Sequence, residues 1–168
     1  MSADAPAVRW VVMGVSGCGK SAVGGLLAGA LGVPYVEGDD VHPPENVAKM
    51  AAGIALEDAD RASWLAALRE RIATARAQGS GLVVSCSALK RTYRDLLREG
   101  DPALRFAHLD GPRAVLEQRM QRPGHFMPPS LLDSQLRTLQ PLQADEAGIV
   151  LDIRQPLPAL LEQILQAR

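Results

Sequence analysis

The 168 residues are 47% hydrophobic and 22% charged, an ordinary globular composition for one domain with a sizeable core. A net charge of −1 at pH 7, with no long basic run, speaks against a nucleic-acid partner. No window of about 18 apolar residues stands out and MSADAPAVRW has no long apolar stretch, so neither a membrane span nor a signal peptide is expected.

Arg9–Met13 (RWVVM) reads as a strand, and the stretch GVSGCGKS follows it directly. Val23, Leu26, Leu27, Ala30 and Leu31 then recur at one helical face, and Gly32 ends that helix. Residues 33–36 predict a short second strand, followed by the polar loop GDDVHPP, with Pro43 or Pro44 opening a helix through Met50. Asp58 and Asp60 precede a long helical pattern carrying Trp64, Leu65, Leu68, Ile72 and Ala75, stopped by Gly79-Ser80-Gly81. A buried strand is expected over 82–86. Leu89, Tyr93, Leu96 and Leu97 mark a helix ended by Gly100. A strand over 104–109 precedes a helix with Val115, Leu116 and Met120, and 122–129 reads as a proline- and glycine-rich loop. Helix 130–139, strand 149–153 and a helix carrying Leu157, Leu160, Leu161, Ile164 and Leu165 complete the chain.

About five strands alternating with helices predict an α/β/α sandwich: a mainly parallel five-stranded sheet covered on both faces. In such sheets ligands bind at the carboxyl ends of the strands. The glycine loop, GDDVHPP and the segment after Cys86 all follow strands, so one sheet edge gathers them.

Gly14, Gly19, Lys20 and Ser21 satisfy G-x-x-x-x-G-K-[ST] completely. Glycines let the backbone turn its N–H groups onto phosphate oxygens, and the helix start adds its unpaired N–H groups and dipole. Lys20 is expected to reach the β- and γ-phosphates, and Ser21 to ligate Mg²⁺. The phosphate-holding stretch is read as Gly14, Gly17, Cys18, Gly19, Lys20, Ser21 and Ala22. The bland alternative, a glycine turn with a chance lysine, does not account for the strand before and the amphipathic helix after. Cys18 and Cys86 lack a CxxC spacing, and reduced cytoplasmic thiols are the simpler expectation. Cys18 fills a place that needs a small side chain. The sharper alternative is a thiolate activated at a helix start.

Glu37, Asp39 and Asp40 cluster after the second strand, where a carboxylate is placed to act as base toward an acceptor hydroxyl. If the extended geometry persists, Glu37 and Asp39 share one side. The competing reading is plain turn chemistry. Arg61, Lys90, Arg91 and Arg94 are scattered cations, either solvated helix faces or binders of an anionic acceptor. Arg119 and Arg122 flank the proline- and glycine-rich loop, where an arginine can close over a triphosphate.

Together these residues resemble gluconate kinase (gluconokinase), a small-molecule kinase related in fold to shikimate and adenylate kinases. The matching segments are GVSGCGKSAVG at 14–24, GDDVHPPENVAKM at 38–50, DADRASWL at 58–65, SCSALKRTYRDLLREG at 85–100 and GHFMPPSLLDSQLRTLQP at 124–141. The resemblance implies a P-loop kinase domain over 1–168, with a substrate cap at about 42–65 and a lid at about 119–130. It implies ATP-dependent phosphorylation of D-gluconate at its 6-hydroxyl, with Mg²⁺, in a cytoplasmic homodimer. By analogy with shikimate kinases, Asp39 is the base and Glu37 holds Mg²⁺ through water. Lys20 and Arg122 join Asp39 in catalysis, with Arg119, Arg154 and Pro156 on the nucleotide side. His42, Lys49, Arg61, Lys90 and His125 are the candidates for the gluconate pocket. The chain departs from the family pattern where Gly53-Ile54-Ala55-Leu56 and Asp60-Arg61-Ala62-Ser63-Trp64 lack the usual prolines, and where Glu37 replaces aspartate. The rival readings are a kinase for another small hydroxy acid such as shikimate, and a nucleotide-switched binding protein without transfer activity.

Overall fold

The computed structural model describes residues 7–120 and 130–167. In chain order the elements are β1 (Arg9–Met13), α1 (Lys20–Leu31), β2 (Tyr35–Glu37), a 3₁₀ turn (Gly38–Val41), α2 (Pro44–Ala51) and α3 (Asp58–Ala77). Then come β3 (Leu82–Ser85), α4 (Arg91–Arg98), β4 (Arg105–Asp110), α5 (Arg113–Met120), α6 (Ser130–Thr138), β5 (Gly148–Asp152) and α7 (Leu157–Gln166). The five strands lie in the order β2-β3-β1-β4-β5, and every pairing is parallel. This is the expected α/β architecture. A strand covered on both faces reads as a near-continuous apolar run, and all five residues of β1 are buried, Arg9 through its salt bridge to Asp101.

Helices fill both faces. Trp10 and Val12 of β1 pack on the side that carries Leu27 of α1, Leu116 of α5 and Leu160 of α7. Val11 and Met13 pack on the other, against Leu68 and Ile72 of α3 and Leu97 of α4. The face of α1 differs from the expected one. Val23, Gly24, Leu27 and Ala28 are buried, whereas Leu26 is 45% exposed. The reason is Gly24: a Cβ there would stand 2.6 Å from the Tyr35 ring, so the helix sits too close to the sheet for any side chain. The most intimate contact of α1 therefore carries no hydrophobic signature.

Parallel registry sets the site. Glu37 pairs with Ser85, and Ser85 with Val12, so β2, β3 and β1 end at one level. The loops after these adjacent strands leave the same edge. Gly14 N–H donates to Ser87 O at 3.2 Å, tying the first loop to the third.

Candidate active site

The loop after β1 owes its shape to glycine. Gly14, Gly17 and Gly19 have φ of 145°, 84° and 98°, a region where L side chains are strained. Gly19 is the left-handed N-cap of α1, so the helix start faces the loop, an arrangement suited to an anion. Lys20 Nζ folds over the loop mouth, donating to Gly14 O at 3.0 Å and Val15 O at 3.1 Å. Cys18 is buried, and burial pushes its thiol up despite the nearby Lys20 charge. That favours the small-residue reading over an activated thiolate. Cys86, also buried, is pushed up to about 12.

The two acidic candidates part company. The extended geometry ends at Glu37, because Gly38 begins the 3₁₀ turn. Glu37 turns to the glycine loop and accepts hydrogen bonds from Ser21 Oγ and, at 2.7 Å, from Tyr35 Oη. Asp39 instead lines a cleft with Ser16 and Lys20. Ser21 and Glu37 offer hard oxygen donors beside the phosphate loop, which suits a magnesium ion that draws its other ligands from phosphate and water. Among the described residues no group of three His, Cys, Asp or Glu converges on a metal position.

The cleft is walled by separate segments: His42, Met50 and residues 54–56, then Arg61 and Trp64 of α3, Ser87 and Leu89 after β3, and Leu131, Ser134 and Gln135 of α6. His42 stacks on Trp64, ring centroids 4.1 Å apart, and Trp64 Nε1 donates to Gly38 O at 2.8 Å. Burial, aided by the Arg61 charge, lowers the His42 pKa to about 4. At neutral pH His42 is therefore an uncharged hydrogen-bonding wall, not a cation.

The expected cations separate in the same way. Arg61 lines the cleft and donates to Tyr93 Oη at 2.9 Å, with no salt bridge among the described residues. Lys49 is paired with Asp60 at 2.9 Å, and Lys90 with Asp58 at 3.0 Å. Neither lysine lines the cleft. Asp60 also accepts the Glu57 N–H in a capping box that starts α3, so the turn bearing Arg61 is fixed.

Arg94 is not on a solvated helix face. It is fully buried, with Nε on Glu146 Oε1 at 2.7 Å, Nη2 on Oε2 at 3.0 Å and Nη1 on Ala88 O at 2.9 Å. Ala88 has φ of 46°, and this bond holds its strained turn between Ser87 and Leu89 of the cleft wall. Burial alone would raise Glu146, but hydrogen bonds from Arg94, Gln143 N–H and Arg98 outweigh it and hold the carboxyl at about 2.

On the other flank, Arg119 crosses from α5 to donate to Ile153 O at 2.9 Å and Cys18 O at 3.4 Å. Arg154 is exposed and forked onto Asp152, while Pro156 caps α7. Arg119, Arg154 and Pro156 thus gather around the end of β5. Arg122 and His125, with most of the expected lid, lie outside the described residues.

Comparisons with known proteins agree with this geometry. Residues 16–155 match the family described as shikimate kinase. A gluconokinase of Gluconobacter oxydans is 46% identical over 157 residues, covering 93% of this chain and 88% of that protein. The thermosensitive gluconokinase of Escherichia coli is 42% identical, covering 94% and 86%. The solved gluconokinase of Sinorhizobium meliloti superposes with a TM-score of 0.86 at 49% identity, covering 96% and 91%. The chain belongs to the gluconokinase family. Its nucleotide-binding P-loop domain is of the shikimate kinase type, and the chain is a kinase.

Sequence reasoning missed several residues of this gluconokinase-family cleft. Gln135 Oε1 accepts the Ser16 N–H at 2.6 Å, and its Nε2 donates to Ser16 Oγ at 3.1 Å, fastening α6 to the phosphate loop. Ser87 and Ser134 are further polar walls. Gln135 and Ser134 sit within the GHFMPPSLLDSQ segment, which was the available signal.

Proposed function

We propose that this chain transfers the γ-phosphoryl group of ATP to the 6-hydroxyl of D-gluconate, giving 6-phosphogluconate. The observation that carries the reading is the convergence of Lys20, Asp39 and Arg61 on one cleft at the carboxyl edge of the sheet, in a chain of the gluconokinase family.

The glycine loop binds the phosphates through its N–H groups, and Lys20 donates hydrogen bonds to the β- and γ-oxygens. Ser21, and Glu37 through water, would hold a magnesium ion, which would supply neutralising charge to the phosphates. Arg61 pairs with the gluconate carboxylate by a charge-assisted bond. His42, Ser87, Ser134 and Gln135 offer hydrogen bonds to the polyol, and Trp64 backs His42. Asp39 accepts the hydroxyl proton as that oxygen attacks γ-phosphorus in line. The segment about 42–65 serves as the substrate cap, and that about 119–130 as a lid that keeps water from acting as acceptor. Lys49 and Lys90 act through their aspartates, holding the cap, more than by touching substrate. Arg119, Arg154 and Pro156 form the nucleotide side, and Arg122 and His125 belong to the lid. A cytoplasmic homodimer is part of the same reading, on family resemblance.

The product decides it. Phosphorus NMR of a reaction with ATP, Mg²⁺ and D-gluconate is expected to show a 6-phosphate ester. Inorganic phosphate alone would contradict transfer, and an ester at another hydroxyl would contradict the pose.

A further inference from the structure

Glu37 carries its carboxylate one methylene further from the backbone than aspartate would, so something must hold it. Tyr35 and Glu37 lie two residues apart on β2 and so share a face. Tyr35 Oη donates to Glu37 Oε2 at 2.7 Å, and Ser21 Oγ donates to the same oxygen. Tyr35 Oη also lies 2.8 Å from Ser85 Oγ, and Ser85 Oγ donates to Lys20 O at 3.0 Å. These contacts link the first turn of α1 through β2 and β3 and back to α1; with one proton per hydroxyl, Tyr35 and Ser85 touch without a further hydrogen bond when Tyr35 donates to Glu37 and Ser85 to Lys20 O. Gly24 makes these contacts possible, since a Cβ there would collide with both Ser85 Oγ and the Tyr35 ring.

We propose that Tyr35 is a positioning residue for the magnesium side of the site. Its hydroxyl fixes Glu37 where the carboxylate accepts the Ser21 hydrogen bond, which leaves the Ser21 oxygen lone pairs for a cation. The proposal rests on the reading of Ser21 and Glu37 as magnesium-side residues. It explains why a glutamate serves here: two hydroxyls converging on one oxygen remove the freedom of the longer arm.

The test uses Tyr35→Phe, Glu37→Gln and the double variant of the full chain. Each is titrated with Mg²⁺ at saturating ADP, reading the Mg²⁺-dependent rise in melting temperature, and with Mn²⁺ by electron paramagnetic resonance. ADP binding in chelator is measured alongside. Tyr35→Phe is expected to move the metal midpoint up to about tenfold upward, the low end of what loss of an outer-sphere partner costs. Metal-free ADP binding should stay unchanged, Glu37→Gln should shift at least as far, and the double variant no further. An unmoved midpoint in Tyr35→Phe beside a shifted Glu37→Gln would overturn the role of Tyr35. Parallel loss of metal-free ADP binding, or a full added shift in the double variant, would overturn it too. No shift in any variant would remove the underlying reading of Glu37.

Discussion

The two halves of the site are built on opposite plans. The phosphate side is one unbroken stretch, residues 14–21, whose recognition groups are main-chain N–H groups held by three glycines at positive φ. The acceptor side takes side chains from segments as far apart as Asp39 and Gln135, and neighbours set their charge in advance. His42 is kept neutral, Lys49 and Lys90 are occupied by aspartates, and Arg61 is steadied by a hydroxyl. A backbone cradle recognises any polyphosphate. On the proposed function, selectivity for the acceptor rests on which charges the side-chain wall presents.

That contrast can be broken most severely at Asp39. Asp39→Asn should lower kcat by roughly 10²–10⁴, the worth of a positioned base, and leave nucleotide affinity nearly unchanged. Steady-state kinetics with an ATP-binding titration would check this, and a near-normal kcat would remove Asp39 as base. Next is the buried pair behind the cleft. Arg94→Met takes the bidentate partner from Glu146, leaving it Arg98 and the Gln143 N–H, and should cost about 1.5–3 kcal/mol in urea unfolding. Glu146 itself is depressed from 4.5 to about 2, so its contribution is complete above 4.5 and fades as pH falls through about 2.

The acceptor wall gives a sharper comparison. Arg61→Met should raise the acceptor KM by about 10–100-fold through loss of a charge-assisted bond. Lys49→Met and Lys90→Met should each change KM by no more than about threefold, since exposed pairs contribute little. Equal effects from all three would erase the distinction between presented and occupied cations. His42 predicts a pH effect with a definite sign. Its pKa is 6.5 ordinarily and about 4 in the fold, so the unfolded chain binds the proton first. Stability should therefore fall as pH drops from 6.5 toward 4, and His42→Asn should flatten that slope in chemical unfolding. The smallest effect is expected at the thiols: both are buried with raised pKa, so iodoacetamide should leave Cys18 and Cys86 of the native chain unmodified.

How far each half could be read in advance follows from how it is made. The glycine loop works through local backbone geometry, and its residues are consecutive, so G-x-x-x-x-G-K-[ST] carried it. The parallel α/β sheet was legible from alternating apolar runs. The inward face of α1 was not, because its closest contact is made by Gly24, which has no side chain to count. Arg94 looked like a surface cation because its partner, Glu146, lies 52 residues away. The parting of Glu37 and Asp39 depended on a 3₁₀ turn beginning at Gly38, where a Cβ would run into the Ser85 backbone. Which lysines would be neutralised was equally hidden, since Asp58 and Asp60 become their partners only when α3 packs beside α2 and α4.

The most direct test of the account is ADP release from ATP and Mg²⁺ with D-gluconate, shikimate, other sugar acids or no acceptor. Strong stimulation by gluconate alone is the predicted result. Stimulation by shikimate instead, or nucleotide binding with no stimulation by any acceptor, would contradict it.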